Sequence, residues 1–364
     1  MSKTRPICVS AIALIACAGL TGCAAHRAQG NSKPAAAPKL TMKEINKFQN
    51  PVAVSELREQ AAEMLVRLAA DPSPQLRGNA IEALSERPSR LEPLMPRALS
   101  DINAGVRSTA AMMVGKTQMT SVIAGVRPLL NDPSPFVRAS AIFALSRCGQ
   151  SPDVTPLADL LLGDASPRVR SHAAYLLGEL GEPSASGLLR DAAKAQLPKA
   201  APSEVRIMQI QIAEALIKLG DESQLEVVRA ALYPSRPEDL EVAALAVQVI
   251  GLVKDRGAID NLIYLTAYRD NRGNAMPAEI RLGAAAALSR MGMNQGSFIA
   301  DEYLNSPIPI LRAQAALVYG QIGRTENLPR LEKMMADPDP VARVSAAAGA
   351  LKTGSLLAQQ WEAR

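Results

Sequence analysis

One short motif recurs along most of the chain and constrains its fold more than any other feature. Its clearest copies begin at Asp132 and Asp164, and they align without a gap through an Asp, a Ser-Pro pair, a Val-Arg pair and a small residue three positions after the Arg. Spacings of 30 to 39 residues separate successive copies, which is typical of a solenoid built from helix-turn-helix units. The register positions are Arg77, Arg107, Arg138, Arg170, Gln209, Ala243, Arg281, Arg312 and Arg343.

Each unit is predicted to contain a helix A, a short turn and a helix B that carries the register position. In the turn, Asp ends helix A, Ser is expected to cap helix B through its hydroxyl, and Pro occupies the first helical position, where a missing N–H costs nothing. Hydrophobic residues make up 48% of the chain and aromatic residues only 3%, so small aliphatic side chains must form the core. These features predict an all-α, right-handed α-solenoid of about nine repeats.

The Asp-x-Ser-Pro-x-Val-Arg-x-x-Ala-Ala unit resembles the HEAT-like repeat, of the kind also found in phycobilisome-lyase subunits. The resemblance covers about residues 55 to 354 and implies that helix B lines the concave side. It also implies that turn aspartates and helix-B arginines form a ladder between adjacent repeats, with a structural role. The residues expected to carry this ladder are the pairs Asp71/Arg77, Asp101/Arg107, Asp132/Arg138, Asp164/Arg170 and Asp337/Arg343.

Helix B has one face for packing and one for the concave surface. Apolar residues one position before the Arg and three, seven and ten after it form the buried stripe, so positions two, five and nine after it point away from the stripe. Met112, Phe143 and Tyr175 are therefore expected to form an apolar row, with His172 and Arg147 beside it. Such a row is a candidate protein-binding surface; the alternative is that these side chains cover the joints between repeats.

The N-terminal residues indicate export. Lys3 and Arg5 precede an apolar stretch of 14 residues, 7–20, which is too short to span a bilayer comfortably and predicts a signal peptide. The sequence Leu-Thr-Gly-Cys that ends at Cys23 resembles the bacterial lipobox, which implies cleavage before Cys23 and attachment of lipid to it. Ala24 after that Cys implies the outer membrane, facing the periplasm. The alternative is an ordinary signal peptide with a chance Cys.

These segments predict the order of the domains. We expect a signal peptide at 1–22, a lipidated Cys and tether at 23–41, the solenoid at 42–354 and a C-terminal tail at 355–364. An open stack of nine units at roughly 8 to 10 Å per helix layer would extend about 70 to 90 Å.

Repeats five to eight depart from the pattern. Gln209 and Ala243 replace the Arg, and longer turns are predicted at 194–204, 233–240 and 268–279. Equivalent turns lie along one edge of a solenoid, so these insertions are expected to cluster there, either as a functional surface or as tolerated loops.

The sequence contains no convincing catalytic or metal-binding constellation. The chain has two histidines, His26 in the tether and His172 in helix B of repeat four. Cys148 is the one thiol of the predicted mature body and lies on the packing stripe, where a buried inert thiol is expected. No catalytic residue, metal site or cofactor is predicted.

Function therefore has to be inferred from surface and location. Removal of Lys3 and Arg5 would leave 38 basic against 35 acidic residues, which is no signature of nucleic-acid binding. We expect a noncatalytic scaffold or adaptor that binds envelope proteins and is anchored to a membrane by lipid. The alternatives are chromophore binding or transfer like that of bilin lyases and, with less support, nucleic-acid binding.

Overall fold

The structure is a computed structural model that describes residues 40–233, 236–271, 273–293 and 296–362. Within these ranges the regular secondary structure is helical, and the one strand-like feature is an isolated antiparallel bridge between Arg269 and Ala275. The described residues form nine consecutive helical repeats, so the prediction of an all-α solenoid is confirmed. Each repeat contributes helix A to an outer layer and helix B to an inner layer.

The outer layer contains α1 (Met42–Lys47), α2 (Pro51–Leu68), α4 (Pro88–Leu91), α5 (Met95–Leu99), α7 (Ile123–Val126), α9 (Thr155–Gly163), α11 (Ser186–Ala193), α13 (Leu225–Ala230), α15 (Ile259–Ala267), α17 (Ser297–Asp301) and α19 (Leu328–Met334). The inner layer contains α3 (Pro74–Ala83), α6 (Ala104–Thr117), α8 (Pro135–Arg147), α10 (Pro167–Leu180), α12 (Pro202–Lys218), α14 (Leu240–Val253), α16 (Ala278–Arg290), α18 (Pro309–Ile322) and α20 (Pro340–Glu362). Short 3-10 turns extend several of these helices, at Leu84–Glu86, Glu92–Leu94, Thr120–Val122, Arg127–Asn131, Pro183–Ala185, Glu222–Gln224, Pro237–Asp239, Arg256–Ala258 and Thr325–Asn327.

The turn between the layers is held by the aspartate rather than by the serine. Pro135 occupies the first turn of α8, as predicted. The Asp132 carboxylate accepts a hydrogen bond from the backbone N–H of Ser134 at 2.9 Å, whereas the Ser134 side chain makes no capping bond. The predicted serine cap is therefore wrong here, because the charged acceptor two residues earlier already closes the turn.

Glycines bring the inner helices together in pairs. Gly178 lies eight positions after the register Arg of its repeat, and a Cβ there would lie 2.8 Å from the Cα of Ala215 on α12. Gly115 and Gly251 occupy the same position in α6 and α14, and added Cβ atoms there would lie within 2.9 Å of backbone atoms of α8 and α16. These residues are glycine because the next helix occupies the space of a side chain.

The inner helices form a closed ring. Each packs against the helix before it and the helix after it, and the last, α20, packs against α18, the first inner helix α3 and the outer helix α2. Lys352 Nζ on α20 lies 2.9 Å from Glu86 Oε1, and Lys47 Nζ on α1 lies 2.6 Å from Glu332 Oε1 on α19. Nine helices spaced 8–10 Å apart on a circle place their axes about 12–15 Å from its centre. Side chains on the inner face of the ring therefore converge on a narrow interior, which we call the lumen.

Ring closure corrects two of the sequence-based expectations. The open stack of about 70 to 90 Å is wrong, because the first and last repeats contact each other. The predicted tail at 355–364 is also wrong, since α20 remains helical to Glu362. Leu357 is buried, and Gly354 admits Arg58 so closely that a Cβ would lie 2.1 Å from its Cδ. The end of α20 is thus part of the joint with repeat one.

Candidate functional site

The arginine–aspartate ladder joins neighbouring repeats. Arg107 donates from Nε and Nη2 to both carboxylate oxygens of Asp132 in the next repeat, at 2.8 and 2.9 Å. Its Nη1 donates to the carbonyl oxygen of Asp101 in its own turn at 2.8 Å. Arg77 and Arg312 make the same two-sided contact. The predicted pairs Asp71/Arg77, Asp101/Arg107, Asp132/Arg138, Asp164/Arg170 and Asp337/Arg343 therefore meet through the Asp carbonyl oxygen and not through its carboxylate.

The repeats that lack the motif have substitute ion pairs. Arg281 forms two hydrogen bonds to the Glu302 carboxylate, at 2.6 and 2.8 Å. A second set of ion pairs joins the outer layer of one repeat to that of the next. In one of these pairs, Arg229 donates hydrogen bonds to both carboxylate oxygens of Asp255. All these contacts lie between repeats, which supports the structural role expected for the ladder.

The predicted concave row is not a surface. Met112 is 3% exposed and Phe143 is 1% exposed, because the Phe143 ring lies over Gly115 of the preceding inner helix. The alternative, that these side chains cover joints between repeats, describes both residues. Tyr175 is partly buried, with the Lys116 and Lys218 ammonium groups 5.3 and 5.0 Å from its ring centroid. The expectation of an apolar protein-binding row is wrong.

His172 belongs to a polar ladder between inner helices. Its Nε2 lies 3.0 Å from the Ser140 hydroxyl, which lies 2.8 Å from the Ser108 hydroxyl. Burial lowers the pKa of His172 to about 4, although a hydrogen bond to the Phe136 backbone opposes this shift. Ser140 is fully buried, so this Ser–His contact cannot present a nucleophile to a substrate. Arg147, the other residue predicted beside the row, is partly exposed at the end of α8.

Charged side chains converge on the lumen. Lys116 on α6 and Lys218 on α12 reach the same tyrosine ring of α10, Tyr175. Lys218 also forms ion pairs of 2.6 and 2.5 Å with Glu179 and Glu214. Burial would lower the pKa of Lys218, but the charges of Glu214 and Glu179 outweigh that effect and raise it.

Two further lumenal groups are strongly affected by burial. Burial raises the pKa of Glu82 to about 8, although the positive charge of Lys116 opposes the shift. Burial lowers the pKa of Arg290 to about 10, and the negative charge of Glu214, two inner helices away, opposes that shift. Glu82 lies five positions after the register residue of its repeat, and Arg290 lies nine positions after that of its own. These two positions of helix B thus place a carboxyl group and a guanidinium group inside the ring.

An exposed aromatic cluster lies on the outer layer of repeats six and seven. The ring centroids of Tyr233 and Tyr264 are 6.2 Å apart, and those of Tyr264 and Tyr268 are 5.3 Å apart. Tyr233 and Tyr264 are 48% and 49% exposed, and Val227 and Ile263, on the outer helices α13 and α15 of the same two repeats, are 45% and 42% exposed. We call these five residues the tyrosine patch. The sequence pattern does not reveal this patch, although Tyr233 and Tyr268 are the first residues of two predicted insertions.

The two cysteines that the sequence singles out are Cys23 and Cys148. Cys23 lies outside the described residues. Cys148 is buried, and burial raises the pKa of its thiol. Among the side chains that the structure describes, no group of His, Cys, Asp and Glu is placed to hold a metal ion. None of the described helices has the length and apolar composition to cross a membrane.

Comparisons with known proteins concern the repeats. The family model of HEAT repeats matches residues 91–162 and 124–199. No match was found among curated protein sequences.

Solved structures superpose only poorly over the whole chain. Human deoxyhypusine hydroxylase in complex with glycerol is 18% identical over 81% of this chain and 96% of its own, with a TM-score of 0.34. The CpcE–CpcF complex of phycocyanin lyase from Nostoc sp. PCC7120 is 15% identical over 90% of this chain and 98% of its own, with a TM-score of 0.31. The family match and the recurring Asp–Arg turn identify this chain as a HEAT-like repeat protein.

Proposed function

We propose that this protein is a noncatalytic scaffold of the bacterial cell envelope, anchored through lipid on Cys23, and that it binds a partner protein through the tyrosine patch. The tyrosine patch is the observation that carries the proposal. Tyr and other large side chains that can be fully covered commonly provide most of the binding energy of an interface. The anchor is supported by the Leu-Thr-Gly-Cys sequence that ends at Cys23.

The geometry of the tyrosine patch suits protein binding better than the lumen does. Tyr233, Tyr264 and Tyr268 are tilted against one another at 58° and 55°, so their rings offer ridges and grooves rather than a flat surface. Val227 and Ile263 extend the patch with aliphatic side chains. Rigid rings and aliphatic groups lose little conformational entropy when a partner covers them.

The test is site-specific photo-crosslinking in intact cells. A photoreactive phenylalanine analogue replaces Tyr264 in one strain and Leu162, which is exposed on the outer helix of repeat four, in a control strain. We expect a discrete adduct from position 264 and none from position 162, with mass spectrometry identifying the partner. Equal labelling at both positions would contradict the proposed surface.

Substitutions then measure the contribution of the patch. Tyr264→Ala combined with Tyr233→Ala should weaken binding of the identified partner by about 2 kcal/mol or more per anchoring ring, with an unchanged helical circular dichroism signal. The matched control Leu162→Ala should leave binding unchanged. Normal binding by the double tyrosine variant would refute the proposal.

A further inference from the structure

The short helix α1 lies on the outside of the ring, beside the seam where α20 of repeat nine packs against α2 and α3 of repeat one. None of the six residues of α1 is buried, although the helix lies against α19. The next helix, α2, buries Val54, Leu57, Ala61, Ala62 and Leu65. Apolar burial is the main favourable term in folding, and α1 gains little of it.

Two ion pairs hold α1 against α19. Lys47 Nζ lies 2.6 Å from Glu332 Oε1. Lys333 Nζ lies 2.6 Å from Glu44 Oε1. The four side chains are 32% to 56% exposed, and exposed lysine–carboxylate pairs contribute little stability and are screened by salt. The attachment of α1 thus depends on charges that water and salt weaken.

The structure defines both ends of the segment that can come away. At its start, the Thr41 backbone N–H donates to Glu44 Oε2 at 2.7 Å, and the Glu44 backbone N–H donates to Thr41 Oγ1 at 3.3 Å. After its end, Phe48 is fully buried. The Asn50 side chain then caps α2 by accepting a hydrogen bond from the Val52 backbone N–H at 3.0 Å. Release of α1 can therefore proceed as far as Phe48 without breaking core contacts of α2.

The length of α1 couples its release to unwinding. Isolated helices shorter than about 12 residues are only marginally stable in water, and α1 has six residues. Its helical form therefore depends on the capping contacts of Thr41 and on the neighbouring α19. Once the two ion pairs break, the capping contacts alone are left to support the helix.

We infer that α1 is a detachable strap: it releases from α19 and unwinds as a minor state, while α2, α3 and α20 keep the seam closed. The predicted tether at 23–41 leads directly into this helix, so release adds residues 42–47 to the tether. At about 3.3 Å per extended residue, the ring can then move up to about 20 Å further from the attachment point. This consequence for the membrane rests on the proposed lipid on Cys23, whereas the release itself does not.

Hydrogen–deuterium exchange with mass spectrometry tests the strap in the complete purified chain. Peptides that cover α1, α2 and α20 are compared at low and high sodium chloride concentrations. We expect the amides of α1 to exchange at least about 100-fold faster than the buried amides of α2, because release needs no core contact to break. We also expect α1 to exchange about twofold or more faster at high salt than at low salt, with α2 and α20 unchanged.

Substitutions on α19 break the ion pairs and leave the sequence of α1, and hence its intrinsic exchange rate, unaltered. Glu332→Gln combined with Lys333→Gln should raise the exchange rate of α1 about threefold or more at low salt and abolish its response to salt. The control Lys194→Gln removes an exposed ion pair with Asp191 in repeat five and should leave the exchange of α1 unchanged. Both variants should retain the protection of α2 and α20.

Three results would overturn the inference. Amides of α1 as protected as those of α2 would show that α1 does not detach. Faster exchange of α20 in parallel with α1 would show that the whole seam opens. An α1 that responds neither to salt nor to the α19 substitutions would show simple fraying of a chain end. The measurement requires neither lipid on Cys23 nor a partner at the tyrosine patch, so the strap and the proposed function can fail separately.

Discussion

The Arg107 guanidinium binds both carboxylate oxygens of Asp132, which lies 25 positions later in the next repeat, at 2.8 and 2.9 Å. Both side chains are largely buried, with 15% and 6% exposure. Asp132→Asn should destabilise the chain by about 2 to 4 kcal/mol, because it leaves a buried arginine without its anion. Asp191→Asn removes an exposed pair with Lys194 and should cost less than about 1 kcal/mol. Urea unfolding measures both, and equal effects would contradict a buried ladder.

Glu82 should make the free energy of unfolding fall as the pH rises. Its folded pKa is about 8 against an ordinary value of 4.5, so between these values the unfolded chain loses a proton that the folded chain keeps. At about 1.4 kcal/mol per pKa unit, the loss across this window amounts to a few kcal/mol.

Glu82→Gln tests this effect, because the amide remains neutral at every pH. The decrease in unfolding free energy between pH 4.5 and pH 8 should become smaller in this variant, whereas the exposed control Glu63→Gln should leave it unchanged. An identical pH profile in Glu82→Gln and the unaltered chain would show that Glu82 is not buried as described.

Gly178 should tolerate no side chain. A Cβ at this position would lie 2.8 Å from the Cα of Ala215, so Gly178→Ala must push α10 and α12 apart and should destabilise by about 1 to 3 kcal/mol. Gly187→Ala, on the outer helix α11 with nothing within 4 Å of the added atom, should be neutral or stabilising by up to about 1 kcal/mol. Thermal unfolding of the two variants gives the comparison, and equal midpoints would refute the close approach of the helices.

Cys23→Ser should release the protein from the membrane fraction or leave its precursor uncleaved, because acyl chains are the proposed source of membrane affinity. Cys17→Ser, which changes a cysteine of the same presequence, should leave the membrane fraction unchanged. Fractionation and immunoblotting provide the measurement. A Cys23→Ser variant that still fractionates with membranes would show that the anchor has been assigned wrongly.

Local features of the repeats could be predicted from the sequence. The register Arg and turn Asp identify each joint because their spacing repeats, and the ladder lies where this spacing indicates. The carboxylate partner of Arg107 lies one repeat later than predicted, since adjacency in sequence does not reveal which turn lies beside which arginine. Helical periodicity predicts the direction in which Phe143 points, but it does not predict the space that Gly115 leaves for the Phe143 ring in the neighbouring helix.

Features that depend on several repeats could not be predicted in this way. Ring closure depends on small rotations that accumulate over nine units, and no single motif encodes their sum. The tyrosine patch combines Tyr233 with Tyr264 and Tyr268, which come from two insertions and an outer helix.

Ring closure is the central claim, and one distance tests it most directly. Lys47 and Glu332 are 285 positions apart in the chain, yet their charged groups lie 2.6 Å from each other. Spin labels on Lys47→Cys and Glu332→Cys, in a chain that also carries Cys23→Ser, allow the separation to be measured by double electron–electron resonance. A closed ring predicts one narrow distribution at the short end of the measurable range. A broad distribution centred near the length of an open stack, about 70 to 90 Å, would contradict it.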